Sequence, residues 1–271
     1  MVIVESAGIT DIGRKRKGNE DSYFLDDSIG VYVVADGMGG HQAGEVASGL
    51  VVDTIKNYMN RIRENEDAEE LADIDKSLSR DANRLIASIH LSNRIVYQTS
   101  RNKASFQGMG STVSAVYFTH DTVIATNVGD SPIYLIRNKD IETLSVPHTV
   151  LAEHMAIDPE AGRQFGERFS HMLTRAMGIE KEVMPDICEL QCFKDDKLVI
   201  ASDGLTDKVS PEEILEIADT RKPDETCQIL ADMANERGGD DNITIIVINV
   251  EMVKYEKTGI MGLISRIFRK K

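Results

Sequence analysis

Asp21, Asp36, Asp130, Asp203 and Asp241 each stand at a boundary between a strand-like run and a turn, and their type and placement suit them to bind a cation. Asp36, Asp130 and Asp203 follow the apolar runs 31–35, 122–128 and 197–201, whereas Asp21 and Asp241 precede the runs 23–25 and 243–250. In antiparallel sheets the ends of some strands lie beside the beginnings of others, so five carboxylates placed in this way can converge on one sheet edge. Like charges within a few ångströms push one another's pKa upward, and a cation relieves them. Donors that are all oxygen select Mg²⁺ or Mn²⁺ rather than zinc.

The stretch VYVVADGMGGHQAGE, residues 31–45, carries the central member of this set. Gly37, Gly39 and Gly40 have no Cβ, so the backbone behind Asp36 can fold tightly and offer its carbonyls to a ligand. Asp followed by glycine is also ordinary chemistry for a strand-to-helix turn. What favours the metal reading is the recurrence of the carboxylate at other strand ends.

The elements that must position these groups follow from periodicity. A first strand is expected at 2–12. Runs at 23–25 and 31–34, separated by Asp26, Asp27, Ser28 and Gly30, predict a hairpin whose open end brings Asp21 to Asp36. Ala47, Val51, Ile55, Tyr58 and Ile62 recur at steps of three and four and predict an amphipathic helix over 41–63. A second helix is expected at 68–98. Four short runs at 111–118, 122–128, 133–137 and 141–146 predict an antiparallel meander. Residues 147–170 have weak periodicity and form a lid-like excursion with one or two helical turns. Ser210 and Glu213 form a capping-box pattern that starts a helix near Pro211, and another helix is expected at 225–237.

The chain of 271 residues is 41% hydrophobic and carries a formal net charge of −14. That charge argues against a general nucleic-acid binder, because the phosphate backbone would be repelled. Cys188, Cys192 and Cys227 lack the spacing of a zinc knuckle or a disulfide framework and are expected as reduced thiols. No basic-then-apolar leader opens the chain and no apolar run is long enough to span a membrane, so a cytoplasmic protein is expected.

The ordered set RKGNED (16–21), ADGMGGHQAGEVAS (35–48), GSTV (110–113), VGDS (128–131), LTRAMG (173–178), ASDGLTD (201–207) and DDNIT (240–244) resembles the successive motifs of bacterial metal-dependent protein phosphatases of the 2C family. The resemblance implies an α+β fold, a four-layer α/β/β/α sandwich in which two central antiparallel sheets are flanked by helix pairs. It implies a phosphatase domain over 1–253, with a variable lid at 147–171, and a separate tail at 254–271. It maps Asp36 onto the residue bridging two metals and the Gly37 carbonyl onto a ligand of the second. Asp203 and Asp241 map onto ligands of the first, and Glu20 and Asp21 onto groups that hold the second, partly through water. Asp130, with Asp203, matches a third and weaker site. The implied cofactors are Mg²⁺ or Mn²⁺, two per site with room for a third.

The implied activity is hydrolysis of phosphoserine and phosphothreonine in proteins by a hydroxide bridging the two metals, opposing a bacterial kinase. Arg16 matches the phosphate-binding arginine; in isolation the basic cluster 14–17 reads as a solvated patch. His41 matches the general acid that protonates the leaving alkoxide, whereas a lone His at a helix start is more often a surface or capping group. Glu45 either orients His41 or simply favours the helix N-terminus. Arg175 receives no catalytic role, and His148, His154 and His171 are expected to be surface or packing residues. Pro132 and the triplet Pro147, His148 and Thr149 depart from the family pattern and bear on substrate choice. The rival reading is a catalytically weak module that binds phosphoproteins; a two-metal phosphodiesterase or nuclease is disfavoured by the acidic balance. A monomer is expected. In the tail, Ile260, Leu263, Ile264 and Ile267 share a helical face among basic residues, which suits a membrane-peripheral or protein-docking helix, or else a frayed end or one more packed helix.

Overall fold

The computed structural model describes residues 2–40, 43–64, 75–159 and 169–254. Along the chain the strands are β1 (Val2–Asp11), β2 (Asp21–Asp26), β3 (Val31–Met38), β4 (Gly110–Ser111), β5 (Val113–Phe118), β6 (Thr122–Val128), β7 (Ile133–Arg137), β8 (Asp140–Thr143), β9 (Asp186–Gln191), β10 (Lys197–Ala201) and β11 (Ile243–Val253). The main helices are α1 (Ala43–Glu64), α2 (Arg80–Asn102), α3 (Val150–Ile157), α4 (Pro211–Thr220) and α5 (Pro223–Glu236), and Asp203–Thr206 forms a single turn of helix.

Two antiparallel sheets face one another. One has the order β1-β11-β10-β7-β8; the other runs β2-β3-β5-β6-β9, with β4 paired to β3. Alternation along each strand makes the layers. In β3, Val31, Val33 and Ala35 pack on α1 and α2 beside Val51, Ile55, Leu85 and Ile89. Tyr32 and Val34 point the other way, into the space between the sheets, where they meet Ile133, Leu135, Leu198, Ile200 and Ile246. On the opposite side, Val199, Ile245 and Val247 lie against Ile214 of α4 and Leu230 of α5. Strands buried on both faces read as unbroken apolar runs, which is why β3, β10 and β11 are so plain in the sequence. The result is the four-layer α/β/β/α sandwich that the resemblance implied.

Two expectations are corrected. The four runs from 111 to 146 do not form one meander: β5 and β6 pair in one sheet and β7 and β8 in the other. The chain crosses between sheets at Gly129, whose φ of +105° a side chain would strain, and at Pro132, which cannot donate to a ladder. The second helix begins at Arg80 rather than near 68. Ser79 caps it by accepting from the Ala82 N–H at 3.0 Å, while the Asp75 side chain accepts from the Ser77 N–H and holds the preceding segment in a turn. β9 had no strand expectation. Residues 65–74, part of the lid (160–168) and the tail from 255 lie outside the described residues.

The Ser210 capping box is present, with Glu213 N–H donating to Ser210 Oγ and Ser210 N–H donating to the Glu213 carboxylate. Ser210→Ala is expected to cost about 1 kcal/mol of unfolding free energy, measured as a lower urea midpoint at unchanged m-value. A wild-type midpoint would mean that the cap does not hold α4.

Candidate metal centre

The hairpin of β2 and β3 does what its turn residues promised, placing Asp21 directly opposite Asp36 in register. Opposed residues in an antiparallel pair share a face, and parity puts both on the side of the second sheet. There β10 ends at Ala201 and β11 begins at Ile243, so Asp203 and Asp241 arrive from the facing sheet. Asp130 comes from the crossing between β6 and β7. Arg16, Glu20, Asp36, Gly37, Asp130, Asp203 and Asp241 all line one open cleft of about 720 Å³. Asp21 lies beneath, only 7% exposed.

The backbone around Asp36 is held from several directions. Thr112 donates its N–H to the Asp36 carbonyl at 2.8 Å and accepts the Asp36 N–H on Oγ1 at 3.0 Å. The neighbouring acidic loop is fixed by Asn242, whose Oδ1 accepts the Glu20 N–H and whose Nδ2 donates to the carbonyls of Ile12 and Gly18. Gly37 sits so tightly that a Cβ would lie 2.1 Å from the Gly44 carbonyl oxygen and 2.5 Å from that of Glu20. No other residue fits this approach.

The electrostatics are those of a cation site. Burial, and then repulsion from Asp21, Asp203, Asp241 and Asp130, raises the Asp36 pKa well above the ordinary carboxylate value. Burial pushes Asp21 up to about 6, opposed by hydrogen bonds from Thr244 and Ser202 and reinforced by Asp203 and Asp241. Burial and the nearby Asp203 raise Asp130 to about 7. Desolvation likewise raises Glu20. Among the described residues, Asp21 Oδ1 and Asp203 Oδ1 are buried and lack a hydrogen-bond partner. Orphaned, desolvated carboxylate oxygens beside a glycine backbone match the donors a hard divalent cation takes, so the residues present fit the group.

Arg16 reaches the same cleft, and its Nη2 donates to Asp241 Oδ2 at 2.6 Å. This bond raises the Arg16 pKa and places a fixed positive charge at the edge of the carboxylates. His41 lies outside the described residues. Glu45 is exposed in the first turn of α1, where a carboxylate opposes the helix dipole.

Two further groups enter the cleft. Asp207 lies four residues after Asp203, one helical turn on, a spacing that could have flagged it. His171, expected as a surface or packing residue, is exposed and also lines the cleft: its Nδ1 is 3.6 Å from Asp203 Oδ2 and its Nε2 is 3.7 Å from Asp207 Oδ2. With Asp130 and Asp203 it forms a cluster whose ligand atoms lie within 4.8 Å of one another. Nothing in its local sequence marks this. His148 is the packing residue expected, 1% exposed. Cys188, Cys192 and Cys227 are free thiols.

The protein phosphatase 2C family model matches residues 14–243. Serine/threonine phosphatase Stp of Listeria monocytogenes is 30% identical over 252 residues, which cover 90% of this chain and 95% of that protein. Among solved structures, serine/threonine phosphatase Stp1 from Staphylococcus aureus is similar at a TM-score of 0.77 and 30% identity, over 93% of this chain and 96% of its own. The catalytic domain of serine/threonine protein phosphatase PstP, solved in complex with two manganese ions, is similar at a TM-score of 0.78 and 28% identity, over 93% of this chain and all of that one. Similarity along nearly the whole length, together with the gathered carboxylates, leaves one assignment: the chain belongs to the protein phosphatase 2C family of enzymes.

Proposed function

We propose that this enzyme hydrolyses phosphoserine and phosphothreonine in proteins, with Mg²⁺ or Mn²⁺ held at Asp36, the Gly37 carbonyl, Asp203, Asp241, Glu20 and Asp21, and that it opposes a protein kinase. The observation that carries this reading is the set of buried, unpartnered carboxylate oxygens of Asp21 and Asp203 beside Asp36. When bound, the ions supply Lewis acidity, lowering the pKa of water from 15.7 to about 7 and offsetting phosphoryl charge. Asp130 and Asp203 are the groups for a further, weaker ion. Manganese in PstP and the serine/threonine phosphatase names of the relatives support the metal and the substrate class.

The chain's own residues then divide the work. Thr112 and Gly37 hold the Asp36 backbone still, and Asn242 holds the Glu20 loop, so the carboxylates need little reorganisation to receive cations. Arg16 offers the forked donor that phosphate oxygens need, and would be free to turn that fork to substrate where Asp241 held a cation instead of it. His41 is proposed as the proton donor to the leaving alkoxide. Arg16→Ala is expected to raise KM for a phosphothreonine peptide about tenfold or more, the loss of one charge-assisted fork, with a smaller fall in kcat. An unchanged KM would remove Arg16 from substrate binding.

The direct test is hydrolysis of p-nitrophenyl phosphate and a phosphothreonine peptide with Mn²⁺, with Mg²⁺ and with chelator. Metal-dependent turnover supports the phosphatase reading. Peptide binding without turnover by folded, metal-loaded protein would favour a phosphoprotein-binding module. Hydrolysis of bis-p-nitrophenyl phosphate alone would favour a diesterase. Among the described residues no helix is long and apolar enough to cross a membrane. The tail remains a proposal for peripheral docking, tested by liposome co-sedimentation before and after truncation following Val253.

A further inference from the structure

His148, Asp186 and Arg175 form a chain of contacts from the Asp130 turn to the wall of the cleft. His148 is fully buried, and both of its ring nitrogens are engaged. Nδ1 accepts the Gly129 N–H at 3.0 Å, and Nε2 lies 2.6 Å from Asp186 Oδ2. Asp186 Oδ2 also accepts from Arg175 Nη1 at 2.8 Å, and the same Nη1 lies 3.3 Å from the Met184 carbonyl. Arg175 and Thr174 line the cleft, and the Thr174 N–H donates to the His148 carbonyl at 2.9 Å. One imidazole therefore ties the turn before Asp130, through Asp186, to Arg175 in the lining of the cleft.

The donors fix the state of the ring. A backbone N–H can only donate, so Nδ1 carries no proton, and in the neutral ring Nε2 carries the proton it gives to Asp186. Burial, the largest influence, holds the His148 pKa below its ordinary value, in keeping with a neutral ring. Asp186 then offers its charge to Arg175. That ion pair is 39% and 40% exposed, so it adds little stability; what it does is restrict where the guanidinium can go.

From this geometry we infer that His148 is a positioning residue for substrate binding: acting through Asp186, it aims the Arg175 guanidinium into the cleft as a second fork, beside Arg16, for the phosphoryl group or the peptide that carries it. The inference rests on the phosphatase reading above and goes beyond it in assigning these three residues.

The test combines kinetics, binding and spectroscopy on the full chain loaded with Mn²⁺. Asp186→Asn keeps an acceptor for the imidazole but loses the charge that holds Arg175. It is expected to raise KM for a phosphothreonine peptide about tenfold while kcat changes less than about twofold and Tm moves by no more than about 3 °C. Arg175→Ala is expected to do the same, and the double variant to be no worse than Arg175→Ala alone, because both changes remove one contact. The histidine ¹⁵N spectrum is expected to show a buried ring protonated at Nε2 and bare at Nδ1. Additive effects of the two substitutions, an unchanged KM in Asp186→Asn, or a ring protonated at Nδ1 would each overturn the inference. Should wild type turn over neither substrate, the phosphatase reading fails separately. Calorimetric binding of inorganic phosphate and of the phosphothreonine peptide to wild type and Asp186→Asn then decides the positioning role: about tenfold weaker binding in the variant upholds it and equal binding overturns it.

Discussion

Asp36→Asn and Asp203→Asn are each expected to lower metal-dependent hydrolysis by at least about 10³-fold in a folded protein, and Asp36→Asn to be more stable than wild type in the absence of metal. The two effects have one cause. Asp36 is desolvated and repelled by Asp21, Asp203, Asp241 and Asp130, so its ionised form is a burden on the metal-free fold. An amide of the same shape removes that burden and the ligand together. The readout that separates loss of a ligand from loss of structure is thermal. Saturating Mn²⁺ at about 100 times its Kd stabilises wild type by about 2.7 kcal/mol per site, and Asp36→Asn should lose most of that shift. A variant that retains both the full metal-induced rise in Tm and its activity would exclude Asp36 from the centre. A variant whose metal-free Tm falls would instead mean that the carboxylate supports the fold.

The metal-free enzyme is expected to lose stability as pH rises from about 4 to about 7, and the Mn²⁺-loaded enzyme to gain it. Asp21 is raised from 3.8 to about 6 in the native chain, and Asp130 from 3.8 to about 7. Between the unfolded and folded values the native state holds protons that the unfolded chain has released. The unfolding free energy therefore falls with pH across that window and levels off above it. Asp21 is nearly buried, and two pKa units correspond to on the order of 3 kcal/mol; Asp130 is partly open to solvent and contributes less. Carboxylates held below their ordinary value elsewhere, such as Asp240 between Lys15 and Lys208, act in the opposite sense, so the quantity to measure is the difference between wild type and Asp21→Asn in urea unfolding at pH 5 and pH 8. Between pH 5 and pH 8, which spans only the upper half of that window, the two free-energy changes should differ by about 1.4 kcal/mol without metal. With Mn²⁺, protons compete for the ligands, and wild type should be the more stable at pH 8. Parallel slopes in both conditions would show that Asp21 titrates normally and holds no cation.

Much of this molecule is legible locally. The stretches 31–35 and 245–248 announce themselves because a strand segment buried on both faces has no polar position to interrupt it. The turn at 26–30 sets the register of Asp21 against Asp36, and Ser210 with Glu213 starts a helix, because both devices act over a few residues. The five aspartates at strand boundaries point to a cation from the sequence alone, and the resemblance in motifs is what implies a role for each. Tertiary structure decided the rest. Runs buried on both faces carry no mark of which sheet they join, so the crossing at Gly129 that sends β7 into the opposite sheet could not be read from periodicity. The start of α2 went to Ser79 because side chains of Asp75 and Asn83 compete for the backbone before it. His171 joins Asp130 and Asp203, and His148 meets Asp186 across 38 residues of chain, with no spacing rule to foretell either. Turn chemistry and hydrophobic period are local and are written in the sequence; which distant carboxylate, imidazole or guanidinium completes a site is settled by the packing of whole layers against one another.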